Sequence, residues 1–128
     1  MPRVTFEGAV FSGKGEGRKF ISLPWVTSQI ETTLGFTPFA GTLNIRLTEE
    51  NAAKKRLLDE AEKFEIRPKE GYCTGFLLKA EINGMSCGVV LPQVPNYPTD
   101  ELEIVAAPNL RERLGLRDGS TVSVDVTV

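Results

Sequence analysis

Apolar and polar residues alternate from Val4 to Ser12, the two-residue rhythm of a strand that buries one face. A glycine-rich stretch follows, and Lys19 to Leu23 predicts a second strand, ended by Pro24-Trp25. Val26, Ile30 and Leu34 recur in a four-residue rhythm, which predicts a short helix over Val26 to Leu34 with Gly35 as its C-terminal stop. From Gly41 to Leu47 the strand rhythm returns, with Leu43, Ile45 and Leu47 on one face and Thr42, Asn44 and Arg46 on the other. Thr48 stands where it can cap a helix from Glu49 to about Phe64, acidic at its start, with Ala53, Leu57, Ala61 and Phe64 as the buried stripe. Asn83-Gly84 lies between two apolar runs, Tyr72 to Ile82 and Met85 to Leu91. It predicts a two-residue hairpin turn that sets Ile82 opposite Met85 and Ala80 opposite Cys87. Pro92 to Thr99, rich in proline, predicts a stiff loop. Leu102 to Ala106 predicts a buried strand, and Asn109 a cap for a short helix through Leu114. Asp118-Gly119 then turns the chain into a last alternating strand, Thr121 to Val128. Roughly six or seven short strands with small helices between them, and no regular strand-helix alternation, point to a mostly β fold, a small closed or partly closed barrel.

Composition narrows what such a barrel can do. A chain of 128 residues fits one compact domain. Lys plus Arg number 15 against 17 Asp plus Glu, a net charge of −2, so the basic excess of a nucleic-acid binder is missing and no nucleic-acid partner is expected. The absence of histidine removes Ser-His-Asp and Cys-His triads, histidine acids and bases, and histidine metal sites. Apolar runs fall far short of the ~20 residues that span a bilayer. Met1 to Glu7 lacks the segments of an export signal, so the expectation is a cytoplasmic protein with no membrane partner. The two cysteines, Cys73 and Cys87, match no zinc or redox spacing and read as reduced, packed thiols.

Two stretches carry candidate chemistry. In Gly13-Lys14-Gly15-Glu16-Gly17-Arg18, glycine at every second position leaves backbone amides open to an anion, with cationic side chains within or beside them. Phe20 and Ile21 follow where a P-loop needs a helix-opening hydroxyl, and the segment after Gly17 reads as strand, which also departs from the dinucleotide fingerprint. A strand-loop-strand flap for a polyphosphate and a plain hairpin turn both remain open. Thr42 and Asn44 leave one strand face together, as a neutral oxygen pair for a hard cation such as Mg²⁺ or as ordinary outward polar positions. Taken alone, Asn109 reads as a helix cap, Arg111 and Glu112 as solvated surface, and Tyr97 and Trp25 as loop packing.

Three collinear segments nevertheless closely resemble the archaeal CTP-dependent riboflavin kinases. They are Ser12-Gly13-Lys14-Gly15-Glu16-Gly17-Arg18-Lys19-Phe20; Leu34-Gly35-Phe36-Thr37-Pro38-Phe39-Ala40-Gly41-Thr42-Leu43-Asn44; and Glu103-Ile104-Val105-Ala106 with Leu110-Arg111-Glu112. The resemblance implies a single six-stranded closed barrel of the cradle-loop type over the whole chain; some relatives carry a helix-turn-helix extension, for which this chain is expected to have no room, and a monomer is expected. It implies transfer of the γ-phosphoryl group of CTP to the 5′-hydroxyl of riboflavin, giving FMN and CDP, with a divalent metal such as Mg²⁺. By the same resemblance Gly13, Lys14, Gly15, Glu16, Gly17 and Arg18 hold the CTP phosphates, and Thr42 and Asn44 bind the metal. Asn109, Leu110, Arg111 and Glu112 contact the nucleotide, and Glu103 faces the flavin as the candidate carboxylate that orients or deprotonates its hydroxyl. Where the family places a threonine soon after the Pro92 position, this chain has Pro95-Asn96-Tyr97-Pro98-Thr99, so Asn96, Tyr97 and Thr99 are the candidate flavin contacts. The rival readings are a non-enzymatic barrel module, since Leu110 to Val128 also resembles the ends of swapped-hairpin transcription-factor barrels, and a passive flavin carrier.

Overall fold

The computed structural model describes residues 2–13 and 16–128, with the backbone alone at Glu16 and Gly17. Its elements, in chain order, are β1 (Arg3–Phe11), α1 (Glu16–Ile21), α2 (Pro24–Leu34), β2 (Leu43–Leu47), α3 (Glu49–Lys54), α4 (Arg56–Glu60), β3 (Phe64–Ile66), β4 (Gly75–Ile82), β5 (Met85–Pro92), β6 (Glu101–Val105), α5 (Leu110–Leu114) and β7 (Thr121–Thr127). The strands form one antiparallel sheet in the order β3-β4-β5-β6-β2-β1-β7, and a β4–β7 pairing closes it. β3 stands outside the ring, so the fold is the mostly β, six-stranded closed barrel that the pattern and the resemblance imply. β3 and β7 share one edge of β4: Phe64 to Ile66 lie beside Gly75 to Leu77, and Val126 and Asp125 beside Ala80 and Glu81.

Alternation along the strands separates two cores. Inward positions such as Phe6, Val10, Ile45, Leu78, Val89, Ile104 and Val124 fill the barrel. The neighbouring positions Leu77, Val90 and Val105 point outward and are covered by Ile21, Val26 and Ile30 of α1 and α2. Consecutive apolar pairs such as Leu77-Leu78 and Ile104-Val105 thus mark a wall buried on both sides. Pro24 opens α2, and Gly35 ends it with φ 80°. Asn83 and Gly84 take φ 49° and 77°, the two left-handed residues of a tight hairpin, and Ile82 pairs with Met85 and Ala80 with Cys87 as expected. Thr48 caps α3, its hydroxyl accepting from the Asn51 amide at 3.3 Å.

Three expectations are corrected. Lys19 to Leu23 is not a strand: Glu16–Ile21 is helical, and Ser22 and Leu23 continue with N–H bonds back to Arg18 and Phe20. β1 already has β2 on one edge and β7 on the other, so a strand returning from it has no edge to join. The glycine stretch therefore joins a strand to a helix. The helix expected over Glu49 to Phe64 is broken at Lys55, and Ala61 turns extended so that Phe64 pairs with Leu77 in β3. Its buried face is Asn51 and Leu58, while Ala53, Leu57 and Phe64 are exposed. Cys73 is exposed on the connection between β3 and β4, and Cys87 alone is packed. Among the described residues no helix is long and apolar enough to cross a membrane.

Candidate functional site

Register across the sheet sets Phe11, Asn44, Glu103 and Val90 side by side on β1, β2, β6 and β5. Directly paired residues share a face, so all four point out of the barrel. Val90 lies under the helices, and where that cover ends Asn44 and Glu103 emerge into a cavity of about 770 Å³. The end of β1, α1, the 41–44 segment, the 72–74 segment and the proline-rich loop bound it, with Arg111 at one side.

Four oxygen-bearing side chains meet there. The Thr42 hydroxyl lies 3.3 Å from Glu103 Oε1, to which it donates, and 3.2 Å from Asn44 Oδ1. The Tyr97 hydroxyl donates to the other carboxylate oxygen, Glu103 Oε2, at 2.6 Å. Burial first, then the charge of Glu103, pushes the Tyr97 phenol far above its ordinary range, so it stays a proton donor at any working pH. Among the described residues no cluster of three or more acidic or cysteine side chains stands ready for a cation. Two neutral oxygens beside one carboxylate are nevertheless hard donors of the kind Mg²⁺ takes when a substrate supplies the remaining negative charge.

Gly13 follows β1, and a Cβ there would lie 2.6 Å from Asn44 Nδ2. The bare Cα is what lets this amide lie against the first residue of the glycine stretch. Arg111 ties α5 to the same corner: its guanidinium donates to the Phe11 carbonyl at 3.1 Å and to Asp118 Oδ1 at 2.7 Å. Hydrogen bonds from Arg111 and from Ser12 hold the Asp118 carboxyl below the usual carboxylate range.

The structure gathers Gly13, Arg18, Thr42, Asn44, Asn96, Tyr97, Glu103 and Arg111 around this one cavity. Lys14 and Gly15 lie outside the described residues, and Glu16 and Gly17 form the backbone of the first turn of α1. Asn109 Oδ1 accepts the Arg111 and Glu112 amides, so that side chain serves as the helix cap. Leu110 belongs to the barrel core, Glu112 is exposed and not part of the cavity wall, and Thr99 faces a second, smaller cavity behind the loop. The sequence reading missed Ser12 and Asp118, whose side chains meet at 2.9 Å although far apart in the chain. They lie just past the β1–β7 pairing, and Arg111 donates to both. It also missed Phe20 and Tyr72, which line the cavity and each meet Trp25 edge-on.

The fold is thus a small antiparallel barrel whose outer face carries an oxygen-lined cavity beside a glycine-bearing strand end. The model of the family CTP-dep_RFKase, described as "Domain of unknown function DUF120", matches residues 10–126, and the chain belongs to that family. Among curated proteins it is similar to "Riboflavin kinase" of Archaeoglobus fulgidus, 38% identical over 130 residues that cover 96% of this chain and 54% of the relative. "Riboflavin kinase" of Pyrobaculum arsenaticum is 42% identical over 126 residues, 93% of this chain and 59% of the relative. "Riboflavin kinase" of Methanoculleus marisnigri is 37% identical over 127 residues, covering 96% and 57%. The chain thus spans little more than half the length of the relatives it matches.

Proposed function

We propose that this barrel transfers the γ-phosphoryl group of CTP to the 5′-hydroxyl of riboflavin, yielding FMN and CDP. The observation that carries the reading is the convergence of Gly13, Thr42, Asn44 and Glu103 on one cavity, three segments far apart in sequence meeting at one point. Phosphoryl transfer needs in-line positioning and neutralised charge more than covalent chemistry, which a chain without histidine can supply. The amides from Gly13 onward and the Arg18 and Arg111 cations hold the triphosphate. Thr42 and Asn44 hold a divalent cation, Mg²⁺ by the chemistry of the donors, which when bound neutralises the phosphate oxygens. Glu103 faces the flavin's terminal hydroxyl and orients it or takes its proton, while Tyr97 keeps the carboxylate in place. Asn96 and Tyr97 form the flavin side of the cavity.

The test is direct. Purified protein is incubated with riboflavin, MgCl₂ and either CTP or ATP, and FMN is resolved by chromatography. FMN with CTP is the expected result; FMN with ATP alone would keep the kinase and remove the choice of donor. Riboflavin bound with neither triphosphate consumed would make the barrel a carrier.

A further inference from the structure

The loop between β5 and β6 is a wall with a cavity on each side. Asn96 faces the site, whereas Lys55, Asp59 and Thr99 line a second cavity of about 350 Å³ between the loop and the α3–α4 corner, and Tyr97 and Pro98 belong to both. Such a wall has few internal ties, because Pro95 and Pro98 have no N–H to donate. Among the described residues two hydrogen bonds join positions 94–99 to the rest of the molecule: Tyr97 hydroxyl to Glu103, and Lys55 Nζ to the Pro98 carbonyl at 3.5 Å. The same ammonium donates to the Glu101 carbonyl at 2.9 Å, where β6 begins, and stands 5.2 Å from the centre of the Tyr97 ring. Lys55 sits at the break between α3 and α4, so the corner that ends one helix aims a cation at the loop. Burial lowers its pKa, against the opposing pull of Asp59, Glu101, Asp100 and Glu103.

We propose that Lys55 is a positioning residue for the acceptor side of the site: by pinning Pro98, Glu101 and the Tyr97 ring it sets where Tyr97 meets Glu103, and so sets riboflavin affinity without touching the triphosphate side. The affinity half of this rests on riboflavin being the occupant, as proposed above; the placement of the wall does not. Gly13 follows β1, Thr42 and Asn44 lie at the start of β2 and Arg111 on α5, and none of them is among the groups that Lys55 engages, Pro98, Glu101 and the Tyr97 ring.

Lys55→Met keeps the length and helix propensity of the side chain and removes its charge, while Lys55→Arg keeps the charge. Amide exchange, riboflavin binding by flavin fluorescence and CTP binding by calorimetry are compared on the full chain. In Lys55→Met, exchange at 94–100 quickens about tenfold with β1 unchanged. Riboflavin Kd rises about tenfold and CTP Kd moves less than about twofold, as expected for a lost charge-assisted bond. Lys55→Arg recovers part of the riboflavin affinity. Unchanged exchange at 94–100 overturns the inference whatever the ligands do. Equal losses for riboflavin and CTP, or faster exchange throughout, make Lys55 merely structural and overturn it too. A wild-type chain that binds no riboflavin, with a wall that still loosens in Lys55→Met, defeats the riboflavin reading and the affinity half of this inference, while the placement of the wall stands.

Discussion

Asn44 owes its place to two constraints, the β2 register that aligns it with Phe11 and Glu103, and the missing Cβ at Gly13. Of the first, alternation showed the face, since Thr42 and Asn44 lie opposite Leu43 and Ile45, but not the strands that pair with it. The second was not legible, because nothing local says that Gly13 must make room for a side chain on another strand. Gly13→Ala drives a methyl against the end of the Asn44 amide, which can swing away, so the fold survives and the site does not. We expect Gly13→Ala to lower FMN formation about 10-fold or more and Asn44→Ala about 100-fold, each with a melting temperature near wild type. Near-normal turnover in Asn44→Ala removes Asn44 from the site. The Tyr97–Glu103 bond had no signature either; it needs the loop geometry that brings the phenol back over β6. The cysteines divide in the same way, by environment and not by spacing. Burial, aided by the charge of Glu81, pushes the Cys87 thiol up to about 12, so it stays protonated when folded while an unfolded thiol ionises near its ordinary 9.0. Its contribution to stability is therefore whole below that ordinary value and declines as pH climbs toward the raised one. Cys73 is exposed and lines the cavity. Mass spectrometry after alkylation of the native protein should find Cys73 modified and Cys87 untouched, with riboflavin slowing the reaction.

The elements that alternation alone could specify came out where it placed them: β1, β2 and β7 have one face in the core and need no further information, and the Asn83-Gly84 turn fixed the register of the hairpin. The misread elements are runs whose tertiary partners decide their type. Phe20-Ile21 suits a strand or a helical turn equally, and the choice was made by the occupied edges of β1. The charged 49–64 segment reads as one amphipathic helix until Lys55 and Ala61 turn it for the sake of the loop and of β3. The α2 contact shows how finely such packing is set. A Cβ at Gly88 would lie 2.7 Å from Leu34 Cδ1, 3.1 Å from Leu77 Cδ1 and 3.3 Å from Val105 Cγ2, so α2 lies this close only because Gly88 is bare. Gly88→Ala should cost about 1–3 kcal/mol in chemical denaturation, as overpacking does. Adding Leu34→Ala should return part of it, since the nearest clash is then gone; an additive pair would mean that Leu77 and Val105 carry the strain.

Seen as a ring, the barrel has its weakest joint opposite its site. β7 is tied to β1 by pairs from Arg3–Thr127 to Ala9–Thr121, but to β4 only by Ala80–Val126 and Glu81–Asp125, and β3 takes Gly75 to Leu77 of that edge. Counting strands around from this seam in either direction, the far point is the β6–β2 junction, where Glu103 and Asn44 lie in register. The exposed Arg3–Glu81 ion pair across the seam adds little. Closure rests instead on buried side chains such as Val126 and Val124, both 0% exposed. Val126→Ala should therefore lower global stability by about 2 kcal/mol through the void it leaves, and its amides near 80–82 and 124–127 should exchange first. If seam and site are energetically separate, the folded fraction of that variant binds riboflavin with wild-type Kd. Riboflavin at about 100-fold over Kd then raises the stability of variant and wild type by the same increment, about 2.7 kcal/mol, by mass action alone. A weaker Kd in Val126→Ala, or a smaller increment, would mean that the ring transmits strain across its diameter and that closure at β4–β7 helps set the spacing of Asn44 and Glu103.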